Sequence, residues 1–209
     1  MILPLMNGVD IYERIRKSIS NGIVFPCCVY VGTRIEKPGK VTQRGGGCTI
    51  LFGKDPKHEN VPAILFDVLT KANIKFSLSI DPYVEIWEKF VFISSFSLVG
   101  ANYDKTIGEI MQSEELSSYT KKIMNEIVDI ARIKQIPLSP SIIDDSLAKA
   151  RSFPFETRTS FQRDYEIRNK RDERDLIGGA IIRMGGRFQT NTDTTKMIYD
   201  SLQRRKPIV

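Results

Sequence analysis

The chain changes its periodicity at Asp81-Pro82, and this break constrains the fold more than any other feature. Before it, short β-rich runs alternate with two amphipathic stretches. After it, helical spacing continues to the end, with breakers only at Pro137 to Pro140, Pro154 and Gly185-Gly186. A sequence patterned in this way predicts an α/β region over residues 1–80 followed by an all-α domain over residues 81–209.

Within the first region, residues 10–20 put Ile11, Ile15 and Ile19 at four-residue spacing between charges, an amphipathic helix with Asp10 as its N-cap candidate. Residues 1–6 read as a strand ended by Asn7-Gly8, which has the look of an interior strand, and 23–31 as an extended run. Residues 41–43 and 48–52 read as strands flanking Gly45-Gly46-Gly47. The triple glycine reads as a hairpin turn, because a phosphate-binding P-loop needs Gly-Lys-Ser/Thr opening a helix and Cys48 to Phe52 is strand-like. A helix over 62–72 and a strand over 74–80 complete the region. Beyond Pro82 the spacing predicts helices near 82–101, 106–111, 115–135, 141–150, 157–168, 172–185 and 191–204.

Composition narrows the classes of function. His58 is the single histidine, and with Cys27, Cys28 and Cys48 it makes no Cys-x-x-Cys or His-x-x-x-His spacing, so no metal site is expected. An odd count of three cysteines, two of them adjacent in an apolar run, reads as reduced core thiols of a cytoplasmic protein, with a catalytic thiol as the weaker reading. The longest apolar run, residues 90–101 (FVFISSFSLVGA), is shorter than the roughly 20 residues of a membrane span and holds three serines, so it is expected to be a buried helix. The N-terminus lacks the pattern of a secretory signal. The net charge of +6 comes from interspersed residues, and acids are mixed in even at residues 168–175 (RNKRDERD). That run reads as a solvated face, and neither a nucleic acid nor a membrane is expected as a partner.

Lys89 is the odd residue of helix 82–101, because an apolar run follows it directly. Two readings stay open on the pattern alone: a snorkelling lysine with its charge in water, or a partly desolvated ammonium usable as a general acid.

Five stretches together resemble a known family. Residues 7–10 (NGVD), 30–41 (YVGTRIEKPGKV), 81–90 (DPYVEIWEKF), 157–164 (TRTSFQRD) and 172–179 (DERDLIGG) are similar, in the family's order, to ketopantoate reductase, also called 2-dehydropantoate 2-reductase. The resemblance covers essentially the whole chain. It implies a partial Rossmann-type domain over residues 1–80, followed by a helical substrate-binding and dimerisation domain over 81–209 that resembles those of 6-phosphogluconate dehydrogenase-like proteins. It also implies NADPH-dependent reduction of ketopantoate to pantoate on the way to pantothenate and coenzyme A, a small 2-keto acid as substrate, and a homodimer.

The same resemblance implies roles for particular residues. Lys89 matches the catalytic lysine that gives a proton to the ketone oxygen, a role that suits a cation beside a developing alkoxide. Asn7 matches an asparagine that touches both cofactor and substrate, and an amide can donate and accept in one place. Glu173 matches an acid that reaches the cofactor and orients the lysine; on its own it reads as a surface salt-bridge or first-turn acid. Ser160 matches a hydroxyl for the substrate carboxylate; on its own it reads as a cap or a helix-surface serine. Ile35 falls where the family makes a backbone contact to the cofactor. Ile93 and Ser97 stand where the family commonly has asparagines on the substrate side, and Ile107-Gly108-Glu109 where Asn-Gly-Glu is often found, so the 2-keto acid is left open while Ser97 is kept as a substrate-side residue.

A dinucleotide site needs Gly-x-Gly-x-x-Gly after a first strand, and that spacing does not occur in the 209 residues. The match begins near the end of the family's nucleotide-binding domain, so its first βαβ units, on the order of 90 residues, are expected to be missing. The chain by itself is expected to hold NADPH poorly and to be inactive alone. Two other readings accompany this one: a helical dimerisation or ligand-binding module, and a related reductase for another small keto acid.

Overall fold

The computed structural model describes residues 1–43, 47–167 and 171–206. Its contacts divide the chain into two compact units, Met1–Ile86 and Trp87–Val209.

The first unit is built on a three-stranded sheet of β1 (Cys27–Tyr30), β4 (Thr49–Gly53) and β5 (Lys75–Ser79), in the order β1-β4-β5. β1 and β4 are antiparallel, with Cys28 opposite Leu51, whereas β4 and β5 are parallel, with Ile50 opposite Phe76. A parallel neighbour requires a crossover. Here α2 (Ala63–Lys71) provides it, and the helix buries Leu65 and Leu69 against Phe25, Ile50 and Phe52. Phe25 and Phe52 are fully buried and meet edge to face at 5.7 Å; each contributes about 1.5–3 kcal/mol by leaving water. Free Cys27 and Cys28 are buried in the same unit, and the Cys27 thiol donates to the Pro4 carbonyl at 2.9 Å.

Three local expectations fail here for identifiable reasons. Residues 1–6 do not form a strand: only Ile2 bridges, in parallel, to Val24. Asp10 precedes α1 (Ile11–Ser18) but does not cap it with its side chain, because its carboxylate is spent on Arg14, 2.8 Å away. The triple glycine does not join a hairpin. β2 (Thr33–Lys37) and β3 (Lys40–Gln43) pair with each other around Pro38-Gly39, where Gly39 supplies a φ of +78°, and β4 pairs with β1 instead. The two-stranded ribbon is therefore inserted between β1 and β4. Gly45 and Gly46 themselves lie outside the described residues.

The second unit is helical, as the periodicity predicts. The run 90–101 lies inside α3 (Pro82–Tyr103), where Phe90, Val91, Phe96, Leu98 and Val99 are buried. No helix among the described residues is long and apolar enough to cross a membrane. α4 (Ile107–Gln112) opens with a complete capping box between Thr106 and Glu109, followed by α5 (Glu114–Ile133), α6 (Ile142–Arg151) and α7 (Ser160–Glu166). The expected helix over 172–185 divides into a π-helical turn, Asp175–Gly179, and α8 (Ala180–Phe188). Gly178 is needed in that turn, because a Cβ there would come within 2.7 Å of the Tyr199 ring. α9 (Asp193–Arg205) takes its N-terminal cap from a distant side chain: the buried Glu126 carboxylate of α5 accepts from the Thr194 and Thr195 amides at 2.8 and 3.0 Å. An anion at a helix N-terminus satisfies both the orphan donors and the helix dipole.

Candidate functional site

α3 is long although residues 82–103 are rich in β-branched, aromatic and serine residues of middling helix propensity; Pro82 suits its first turn, and burial of its apolar residues in tertiary packing supplies the stability. Residues three and four apart on such a helix are neighbours, so Lys89, Ile93 and Ser97 follow one another along one face, with Gly100 one turn beyond Ser97. Lys89 and Ile93 are half-buried, whereas Ser97 is 1 % exposed. The Ser97 hydroxyl has no hydrogen-bond partner among the described residues. A helical serine ordinarily satisfies itself on the carbonyl one turn back, as Ser95 does on Val91 at 2.8 Å. Ser97 does not, so α3 carries a buried hydroxyl available to something else on the same face as a lysine.

A second lysine also approaches α3. The Lys149 ammonium lies 5.1 Å from the Phe92 ring centroid, and loss of water there lowers its pKa, with the charge of Glu88 opposing the shift. Phe92 in turn stacks on Phe153 at 5.6 Å.

Ser160 is the first residue of α7 and is exposed. It is not the cap; Thr159 is, with its hydroxyl accepting from the Gln162 amide at 3.2 Å. Gln162, two residues on, reaches α3: its side-chain oxygen lies 3.2 Å from where a Cβ on Gly100 would stand. α7 therefore packs its first turn against the same seam that carries Ser97.

Glu173 is half-buried just before the π-helical turn, and its carbonyl accepts from Leu176 and Ile177 at 2.9 and 3.0 Å. Its neighbours Asp172 and Arg174 depart from the solvated face expected of the charge run. Arg174 is fully buried and grips Asp172 through two bonds of 2.8 and 2.7 Å, while also donating to the Leu202 carbonyl and the Gln203 side chain. Lys206 adds a third contact to Asp172 at 3.3 Å. Burial would raise the Asp172 pKa, but the Arg174 bonds outweigh it and hold the carboxyl below its usual range. Asp172 and Arg174, joined by Lys206, form a buried ionic clasp fastening the end of α9, with Glu173 between the first two, while Arg171 is exposed and Asp175 pairs with Arg183 near the surface. Arg168 to Lys170 lie outside the described residues.

Asn7 and Ile35 belong to the first unit. Asn7 is half-buried in a bend before Gly8, whose φ is +125°, and a small recess next to it is lined by Gly8, Val9, Tyr12, Cys27, Tyr83 and Ile86. Ile35 sits on β2 opposite Val41 with its side chain 72 % exposed. The first unit also holds a polar hub that the sequence reading missed: Asp55, fully buried, gathers Tyr12, Arg16, Val24, Lys57 and His58. No group of three or more His, Cys, Asp or Glu side chains able to hold a metal occurs among the described residues.

The family profile described as "Ketopantoate reductase PanE/ApbA C terminal" matches residues 83–206, and the one described as "Ketopantoate reductase PanE/ApbA" matches residues 1–56. The chain belongs to the ketopantoate reductase family. A curated relative, 2-dehydropantoate 2-reductase of Streptococcus pyogenes serotype M6, is 24 % identical over 213 residues, covering 100 % of this chain and 68 % of the relative. Among solved structures, D-mandelate dehydrogenase with NADH and anilino(oxo)acetate superposes with a TM-score of 0.84 at 19 % identity, over 97 % of this chain and 66 % of that one. A dimeric ketopantoate reductase from Staphylococcus aureus gives 0.80 at 19 % identity, over 98 % and 67 %. The chain thus spans about two thirds of the length of these proteins.

A nicotinamide dinucleotide, which this family implies, finds only part of what it needs in these residues. The glycine-rich stretch ends at Gly47 and continues into β4 rather than into a helix, so it offers no helix N-terminus to a pyrophosphate.

Proposed function

We propose that this chain provides the substrate-binding and proton-donating part of an NADPH-dependent 2-keto acid reductase, acting on ketopantoate in the formation of pantoate for pantothenate. The observation that carries this reading is the α3 stripe, in which half-buried Lys89 is followed by Ile93 and by the buried, unpaired Ser97 hydroxyl. A nicotinamide cofactor supplies hydride to a keto carbon in such chemistry. Lys89 holds the proton that the keto oxygen takes up, and its positive charge favours the alkoxide as it develops. Ser160 and Ser97 are donors for the substrate's oxygens, Asn7 bridges substrate and cofactor, and Ile35 and Glu173 stand on the cofactor side.

The test is an assay of the protein expressed from its full reading frame, following NADPH oxidation with a panel of 2-keto acids. Turnover with ketopantoate supports the proposal, and no oxidation with any 2-keto acid overturns it. Ile93 favours a second reading at the level of substrate: an apolar side chain in the middle of the stripe suits a keto acid with an apolar substituent. In the same panel, phenylglyoxylate turned over faster than ketopantoate would select that reading.

The protein is also proposed to work as a homodimer. A dimeric ketopantoate reductase among the structural neighbours supports this, as do the outer edge of β5, which has no strand partner among the described residues, and the exposed Leu78 and Ile80 at its end. Size-exclusion chromatography with light scattering is expected to give twice the chain mass; a clean monomer across the micromolar range refutes the dimer.

A further inference from the structure

Gln162 stands out among the polar residues that the proposed chemistry does not use. It is 2 % exposed, and its side-chain nitrogen has no hydrogen-bond partner among the described residues. Its position predicts a different fate. Thr159-x-x-Gln162 is the spacing of a capping box, in which the third helical residue returns its side chain to the cap's own amide. α4 makes both halves of that box, with Glu109 accepting from the Thr106 amide at 2.8 Å. α7 makes only one half: the Gln162 amide donates to Thr159, and the side chain leaves the box to lie against Gly100 of α3.

Gly100 is three residues beyond Ser97, so the Gln162 amide group and the Ser97 hydroxyl meet the same seam of α3. Both are buried, both lack a partner for at least one polar atom, and both have hydrogens to donate. Buried donors are rarely left unpaired, because desolvation without a bond is costly. Ser97 forgoes the back-bond that Ser95 makes, and the Gln162 side chain forgoes the capping contact that Glu109 makes. Two buried donors on one seam, each without an acceptor among the described residues, suit an oxygen brought by a ligand.

We infer that Gln162 is a specificity-determining residue which, with Ser97, donates a hydrogen bond to a hydroxyl oxygen on the side chain of the 2-keto acid. This rests on the reading of the α3 stripe as a 2-keto acid site. It assigns the selection of a hydroxylated over a purely apolar substrate to a residue of α7, where Ile93 on α3 contributes no polar atom.

The experiment is a chemical-shift titration of the isotopically labelled 209-residue chain with two acids of one carbon skeleton, 2,4-dihydroxy-3,3-dimethylbutanoate and 2-hydroxy-3,3-dimethylbutanoate. The parent chain is expected to bind the dihydroxy acid roughly tenfold more tightly, the scale set by one or two hydrogen bonds. Gln162→Leu, close in shape, is expected to erase that preference while leaving the affinity for the monohydroxy acid unchanged, whereas Ser97→Ala is expected to erase it and to weaken both acids. Retention of the preference in Gln162→Leu overturns the inference and spares the 2-keto acid reading. Binding of neither acid by the parent overturns both. Equal affinities for the two acids in the parent also overturn the inference alone. The unperturbed backbone spectrum of each variant serves as the control for folding.

Discussion

Replacing Asp55 by alanine is expected to destabilise the protein by about 3–5 kcal/mol, read as a fall in the urea midpoint of the far-ultraviolet circular dichroism signal. Asp55 is fully buried, and its two oxygens collect the Tyr12 hydroxyl at 2.8 Å, the Val24 amide at 2.8 Å, the Lys57 amide at 3.0 Å, His58 Nδ1 at 3.0 Å and the guanidinium of Arg16. These donors come from α1, from the chain leading into β1 and from the turn after β4. One carboxylate therefore ties three segments that have little else in common. Removing it strands the Arg16 charge, whose side chain is itself 7 % exposed, beside several unpaired donors. A buried cation without its partner is among the largest single penalties that a substitution can create. Asp55→Asn is expected to lose less, because shape and one acceptor survive.

The pH dependence follows in sign. Burial alone would raise the Asp55 pKa, but the Lys57 and Val24 amides, the Tyr12 hydroxyl and the Arg16 charge more than reverse it and hold the carboxyl well below the usual carboxylate range. A group depressed on folding adds stability that is complete above its unfolded value, about 4, and is lost as the pH falls towards its folded value. The gap in stability between the parent and Asp55→Asn is thus expected to be constant from neutral pH to about pH 5 and to close progressively in acid. A gap that widens on acidification would contradict this assignment.

Much of the fold is legible in the residues, for a physical reason that also explains the failures. Helical periodicity is local, and so α3, α5 and α9 follow from the spacing of Phe90, Val91, Ile123, Ile127, Ile198 and Leu202, all of which are buried. Strand pairing is not local. The ribbon of β2 and β3 is polar, and nothing in Thr33 to Gln43 announces that it is inserted between two strands that pair with each other. The charge run around Arg174 misleads for the same reason, since the carbonyl and amide oxygens that make its burial tolerable come from Leu202 and Gln203, far along the chain. Asp55 is silent in the sequence because its donors at positions 12, 16 and 24 are brought to it only by folding. At the candidate site, Lys89 stands out because an apolar run follows it and Ser97 comes only with the family resemblance, whereas Gln162 carries no signal in the sequence and is found only when α7 is placed against Gly100.

The largest expected effect on activity belongs to Lys89. Its two open readings, a snorkelling cation or a proton donor, differ by what its removal does. A snorkelling lysine contributes surface packing, and its loss costs a fraction of a kcal/mol and no catalysis. A general acid contributes about 10²–10⁴-fold to the rate, so Lys89→Ala is expected to lower kcat by that factor while KM changes little, the mark of an interaction made in the transition state. Lys89→Arg separates charge from proton transfer, because a guanidinium stays protonated and keeps the cation without serving as an acid at neutral pH. It is expected to recover little of the rate. The most direct measurement is therefore the steady-state reduction of ketopantoate by NADPH in the protein from the full reading frame, with parent, Lys89→Ala and Lys89→Arg compared at equal folded concentration. The account predicts kcat at least about a hundredfold below the parent in both variants, and a Lys89→Ala protein turning over within about threefold of the parent would contradict it.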